Sequence, residues 1–73
     1  MTPAIDFALR GDYITLDALL KASGLASSGG EAKTLIVQGQ VHVNQEIELR
    51  RGRKLRPGDE VQFGAMRVRL GQT

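Results

Sequence analysis

Five of the seven residues in Arg50-Arg51-Gly52-Arg53-Lys54-Leu55-Arg56 are cationic. Packing like charges this closely costs mutual repulsion, which a polyanion relieves as it displaces their counterions. Four of the five are arginines, whose planar fork suits bidentate phosphate contacts and stacking on bases better than an ammonium does. A solubilising face is the other use of such a run, and the arginine density favours nucleic acid over it. A second candidate is Ser28-Gly29-Gly30-Glu31, which fits a capping box. There the Ser28 hydroxyl is expected to take the Glu31 amide, and the Glu31 carboxylate to reach back to the Ser28 amide. Gly29 and Gly30 would then leave free amides at a positive dipole end, a phosphate seat beside Lys33. Close packing or a tight turn would ask for the same two glycines, and Glu31 competes for the same amides.

Other chemistry is thinly represented. With no cysteine, disulfides and thiolate metal sites are excluded. His42 is the single histidine, so a zinc site would need three carboxylates, and neither a metal nor a cofactor is expected. No phosphate loop, nucleophile elbow or carboxylate pair with a base at workable spacing occurs, so no catalytic residues and no enzyme are expected. Asp17 reads as a first-turn dipole partner, and Asp59-Glu60 as solvation of a turn. Tyr13 could stack on an unpaired base, but its place beside Ile14 points to half-buried packing. His42 occupies an outward strand position next to a hairpin, as a solvated polar residue.

These residues need elements to hold them. Ile5, Phe7 and Leu9 alternate with polar or small residues, a strand pattern that Gly11-Asp12 breaks. Leu16, Leu19 and Leu20 recur at helical spacing, with Thr15 placed to cap, Asp17 in the first turn and Gly24 ending about two and a half turns. A second helix follows Ser28, with Ala32, Leu35 and Ile36 as its apolar stripe and Gly39 as its stop. The two form a helical hairpin with Lys21 and Lys33 on its outer surface. Then the period changes to two: Val41 and Val43, a turn at Asn44-Gln45, and Ile47 and Leu49 on the return. Pro57-Gly58-Asp59 makes a turn. Val61 and Phe63 lead to a two-residue Gly64-Ala65 hairpin, and Met66, Val68 and Leu70 return. The expected core is Phe7, Leu9, Leu16, Leu19, Leu20, Leu35, Ile36, Val41, Val43, Val61, Phe63 and Val68. It is too thin to enclose a deep substrate cavity as well.

At 73 residues the chain reads as one α+β domain spanning 1–73, with marginal stability expected at this size. Residues 1–37 hold three basic against four acidic residues, net −1, and residues 38–73 seven against four, net +3. No apolar run reaches the roughly 20 residues of a membrane span, and Asp6 with no basic region before an apolar one argues against a signal peptide. A cytoplasmic protein without a membrane partner is the expectation. A small sulfur carrier is not expected either, because Leu70-Gly71-Gln72-Thr73 lacks a terminal glycine pair.

The order of these signals resembles the S-four RNA-binding domain, also called the αL motif. The resemblance is carried by Leu16-Asp17-x-x-Leu20, Gly24-Leu25-Ala26-x-Ser28, Ala32, Ile36-x-x-Gly39-x-Val41-x-Val43-Asn44 and Gly58-Asp59-x-Val61. Ser28-Gly29-Gly30, the Arg50 to Leu55 string and the Gly64 hairpin are similar to the stand-alone bacterial YbcJ/YaaA-like branch of that family. The resemblance implies a small domain with a helical hairpin packed on a mostly antiparallel sheet, its core motif at about 13–63. It also implies a non-catalytic protein that binds structured RNA, ribosomal or transfer, with a ribosomal particle as a further candidate partner. Three positions depart from the common pattern: Gly29 where many members are basic, Gln45 where many have glycine, and Thr15 where arginine is frequent.

The RNA-binding residues expected are Lys21, Ser28, Gly29, Gly30, Lys33, Arg50, Arg51, Arg53, Lys54 and Arg56, with the 50–56 stretch as the main surface. A monomer is expected, although the strand edges of so small a sheet could pair with another chain. The alternative function is an adaptor whose basic face docks an acidic protein surface.

Overall fold

The computed structural model describes residues 4–72, so residues 1–3 and 73, the outer limits of the expected domain, lie outside the described residues. The chain runs β1 (Ala4–Leu9), β2 (Ile14–Thr15), α1 (Leu16–Ala22), α2 (Gly29–Val37), β3 (Val41–Val43), β4 (Glu46–Ile47), β5 (Lys54–Leu55), β6 (Glu60–Phe63) and β7 (Met66–Gln72). Five strands form one sheet in the order β1-β7-β6-β3-β4, antiparallel except for the β1–β7 pair. β2 and β5 make a separate antiparallel ribbon. Leu16, Leu19, Leu20, Ala32 and Ile36 from the helices share one buried cluster with Leu9, Val41, Val43, Val61, Val68 and Leu70 from the sheet. The α+β arrangement, a helix pair on a mostly antiparallel sheet, is the expected one.

The core differs from the expected set at its margins. Phe7, Leu35 and Phe63 are only partly buried, whereas Ala26, Ala32, Leu55 and Leu70 are buried. Leu55 belongs there because β5 pairs Ile14 with Leu55 and so turns one residue of the basic stretch inward. Glycines end the helices as expected. At the end of α2, Gly39 has φ +75°, its amide donates to the Ile36 carbonyl, and the Gln40 amide donates to Leu35. That pair of bonds is a Schellman motif, satisfying carbonyls the helix would otherwise leave free.

Two capping details are corrected. Thr15 makes no side-chain cap bond, because the first amides of α1 find main-chain acceptors instead. Leu16 N–H donates to the Arg53 carbonyl at 2.9 Å and Asp17 N–H to the Arg51 carbonyl at 3.0 Å. At α2 the Ser28 Oγ does accept from the Glu31 amide at 3.1 Å. The Glu31 carboxylate, however, reaches past Ser28 to Ser27, taking its hydroxyl at 2.8 Å and its amide at 3.4 Å.

The β3–β4 turn carries both of its residues at positive φ, Asn44 at +51° and Gln45 at +74°. Such a turn matches the twist of a two-residue hairpin. Asn44 uses its side chain to tie this turn to the next one: Nδ2 donates to Asp59 Oδ1 at 3.1 Å, and Oδ1 accepts from the Glu60 amide at 3.0 Å. The other Asp59 oxygen accepts the Arg56 amide at 2.8 Å. Asn44 and Asp59 thus close the downstream end of the basic stretch.

Candidate nucleic-acid interface

The stretch 50–56 is a turn followed by β5, pinned at both ends. Upstream, the Arg51 and Arg53 carbonyls cap α1. Downstream, β5 pairs with β2, and Leu55 is buried. Its backbone is thereby consumed by the fold, while Arg50, Arg51, Lys54 and Arg56 stay exposed and Arg53 is half-buried. Arg50, Gly52, Arg53 and Lys54 line a surface hollow of about 520 Å³.

One residue beneath this surface has no counterpart among the expected site residues. Glu48 is 7% exposed. Its Oε1 accepts from Arg50 Nη2 at 3.0 Å and Arg53 Nη1 at 2.9 Å, and its Oε2 accepts from Arg50 Nε at 3.0 Å and the Arg50 amide at 3.1 Å. The Arg50 side-chain bonds, opposed by burial and reinforced by Arg53, hold the Glu48 carboxyl down at about 2, and Glu48 in turn raises the Arg50 guanidinium. Arg50 and Arg53 are therefore oriented and partly neutralised from below. Among the described residues, Arg51, Lys54 and Arg56 make no ion pair.

Tyr13 also departs from expectation. It is 45% exposed rather than half-buried, with Lys54 Nζ 5.0 Å and the Arg56 guanidinium carbon 6.0 Å from its ring centroid. β2 carries Ile14 inward against Leu55 and leaves the preceding residue on the surface beside the cations.

The remaining candidates are more dispersed. Lys21 is exposed in the last turn of α1, the opposite end of that helix from the basic loop. Ser28, Gly29, Gly30 and Lys33 are exposed on the first turns of α2, and no side-chain bond joins them to the basic loop among the described residues. A methyl group added at Gly29 would meet nothing, and one at Gly30 only Ser28 Oγ at 3.9 Å. Neither has positive φ, so neither close packing nor backbone strain accounts for the pair. His42 is half-buried opposite Gln62 and Ile47.

The family profile described as the S4 domain matches residues 7–70 of the chain. The chain belongs to the S4 domain family. Among relatives of this S4 domain is "Probable ribosome maturation protein RlbA" of Bacillus subtilis, 43% identical over 60 residues, covering 78% of this chain and 84% of that protein. "Putative RNA-binding protein YbcJ" of Escherichia coli is 36% identical over 58 residues, covering 80% and 83%. The matched region of the S4 domain includes both helices, the hairpins and the whole basic loop. Among the described residues, no helix is long and apolar enough to cross a membrane.

Proposed function

We propose that this S4 domain is a non-catalytic RNA-binding protein that holds the phosphate backbone of structured RNA, ribosomal or transfer, through its Arg/Lys-rich face. The observation that carries the reading is the loop itself. Three of its exposed cations, Arg51, Lys54 and Arg56, have no carboxylate partner among the described residues, and Arg50 and Arg53 beside them are aligned by Glu48. A pinned backbone presents these charges without the ordering cost that a mobile tail would meet on binding. Phosphate contacts of this kind fix register and recognise shape, and need not read bases. Lys21, Lys33 and the Ser28-Gly29-Gly30 turn form a second contact, where the open amides of α2 receive a phosphate. The relatives named for RNA binding and for ribosome maturation support RNA, and a ribosomal particle, as the partner. Residues 1–73 act as one domain, as a monomer, in the cytoplasm.

The test is a fluorescence-anisotropy titration of a labelled ribosomal RNA fragment and a transfer RNA, with polyglutamate as competitor. RNA binding that excess polyglutamate does not displace is expected. Equal competition by the acidic polypeptide would instead favour an acidic protein surface as the partner.

A further inference from the structure

We propose that Tyr13 is a stacking platform for one unpaired nucleobase, so that the preferred RNA carries a bulged or looped-out nucleotide beside a paired stem. The inference rests on the RNA-binding reading above and specifies its ligand. Tyr13 is the only tyrosine in a chain without tryptophan, and it is 45% exposed. The β2–β5 pairing sets that exposure: it turns the adjacent Ile14 against the core and leaves the Tyr13 ring outside, beside the basic loop. Lys54 and Arg56 lie over the ring at 5.0 and 6.0 Å, inside the range where a cation is held by an aromatic face. Both belong to the same basic loop, so one nucleotide can place its base on the ring and its phosphate against those cations. Tyr13 also lines a mostly apolar surface recess of about 290 Å³ with Phe7, Ala8, Leu9, Arg10 and Ile14. That volume sits at the small end for ligand sites and suits a single planar ring system. Aromatic stacking of unpaired bases, with cations tracking the backbone, is how proteins hold single-stranded nucleotides. A fully paired stem offers no base to the ring and meets only the cations.

Because Tyr13 is the sole intrinsic fluorophore of its kind, its emission reports the contact directly. Two RNAs are compared: a hairpin with one bulged adenine, and the same stem fully paired. Quenching of Tyr13 emission on the bulged RNA, corrected for absorbance, and much weaker quenching on the paired stem are expected. Tyr13→Ala should lose on the order of tenfold in affinity for the bulged RNA while the paired stem is nearly unaffected, and Tyr13→Phe should retain the preference. Circular dichroism checks that both variants fold. If Tyr13→Ala weakens both RNAs equally, or emission does not respond to the bulge, the ring only positions the cations and the stacking role is overturned while RNA binding stands. Failure of wild type to bind either RNA would overturn the RNA reading, and the stacking with it.

Discussion

Glu48 donates its backbone amide to the Val41 carbonyl at 3.0 Å, and that bond sets a carboxylate on the core side of the basic loop. The two-residue turn at Asn44-Gln45 pairs Val43 with Glu46 and His42 with Ile47. Opposed residues of an antiparallel pair face the same side. Val41 is buried, so Glu48 follows it inward, while Ile47 and Leu49 stand 59% and 57% exposed.

Glu48→Gln should therefore destabilise the domain at neutral pH by about 1–2 kcal/mol, since hydrogen bonds to charged partners carry roughly that much. The 75% exposure of the Arg50 side chain keeps the figure at the low end. The folded carboxyl sits at about 2, below its ordinary 4.5. A depressed carboxyl stabilises the fold above its unfolded pKa and loses that contribution as pH falls through the folded one. Wild-type stability should thus decline between about pH 4.5 and 2, and the gap between wild type and Glu48→Gln should close over that window. Urea unfolding followed by circular dichroism at several pH values measures both.

The two helix starts predict opposite outcomes for similar substitutions. Ser28→Ala removes the hydroxyl that accepts from Glu31 and should lose about 1 kcal/mol. Thr15→Ala removes no cap bond, because the Arg51 and Arg53 carbonyls occupy those amides, and should stay within about 0.5 kcal/mol of wild type. Thermal melts of the two variants decide it.

Gln45 sits at φ +74°, a region that penalises any residue with a Cβ. Gln45→Gly should gain about 0.5–1 kcal/mol by completing the Asn-Gly turn that two-residue hairpins favour. Asn44→Ala should lose about 0.5–1.5 kcal/mol, because it removes the two exposed side-chain hydrogen bonds, to the Glu60 amide and to Asp59 Oδ1, that tie the two turns together. Denaturation midpoints with an unchanged slope would confirm that each change acts on stability alone.

Much of the fold is legible in local pattern. Alternation at Ile5, Phe7 and Leu9 marks β1, and Ser28 with Glu31 and Gly39 brackets α2, because caps and periodicity are short-range signals. What pattern does not supply is pairing between distant segments. The β2–β5 ribbon joins segments far apart in sequence, Ile14 with Leu55 and Thr15 with Lys54, and each strand is too short to show a period. Leu55 in the core, the main-chain cap on α1 and the exposure of Tyr13 all follow from that pairing. The basic loop is visible as charge, but Glu48 beneath it is not. Apolar Ile47 and Leu49 on either side make Glu48 look solvated, and only the turn register tied to Val41 points it inward. A two-residue turn at Asn44-Gln45, taken together with a buried Val41, is the signal that carries that register.

RNA binding through the basic face is tested most directly by its salt dependence. The informative variant combines Arg51→Gln, Lys54→Gln and Arg56→Gln, which leaves Glu48 with both of its arginines and so spares the buried ion cluster. Affinity for a structured RNA is measured across a salt series for wild type and variant, with circular dichroism confirming the fold. Every phosphate that the variant no longer neutralises reduces the slope of log affinity against log salt by about 0.7–0.9. The triple variant should bind more weakly, with a slope shallower by roughly 2–3. An unchanged slope in a folded variant would contradict the basic loop as the phosphate-binding surface.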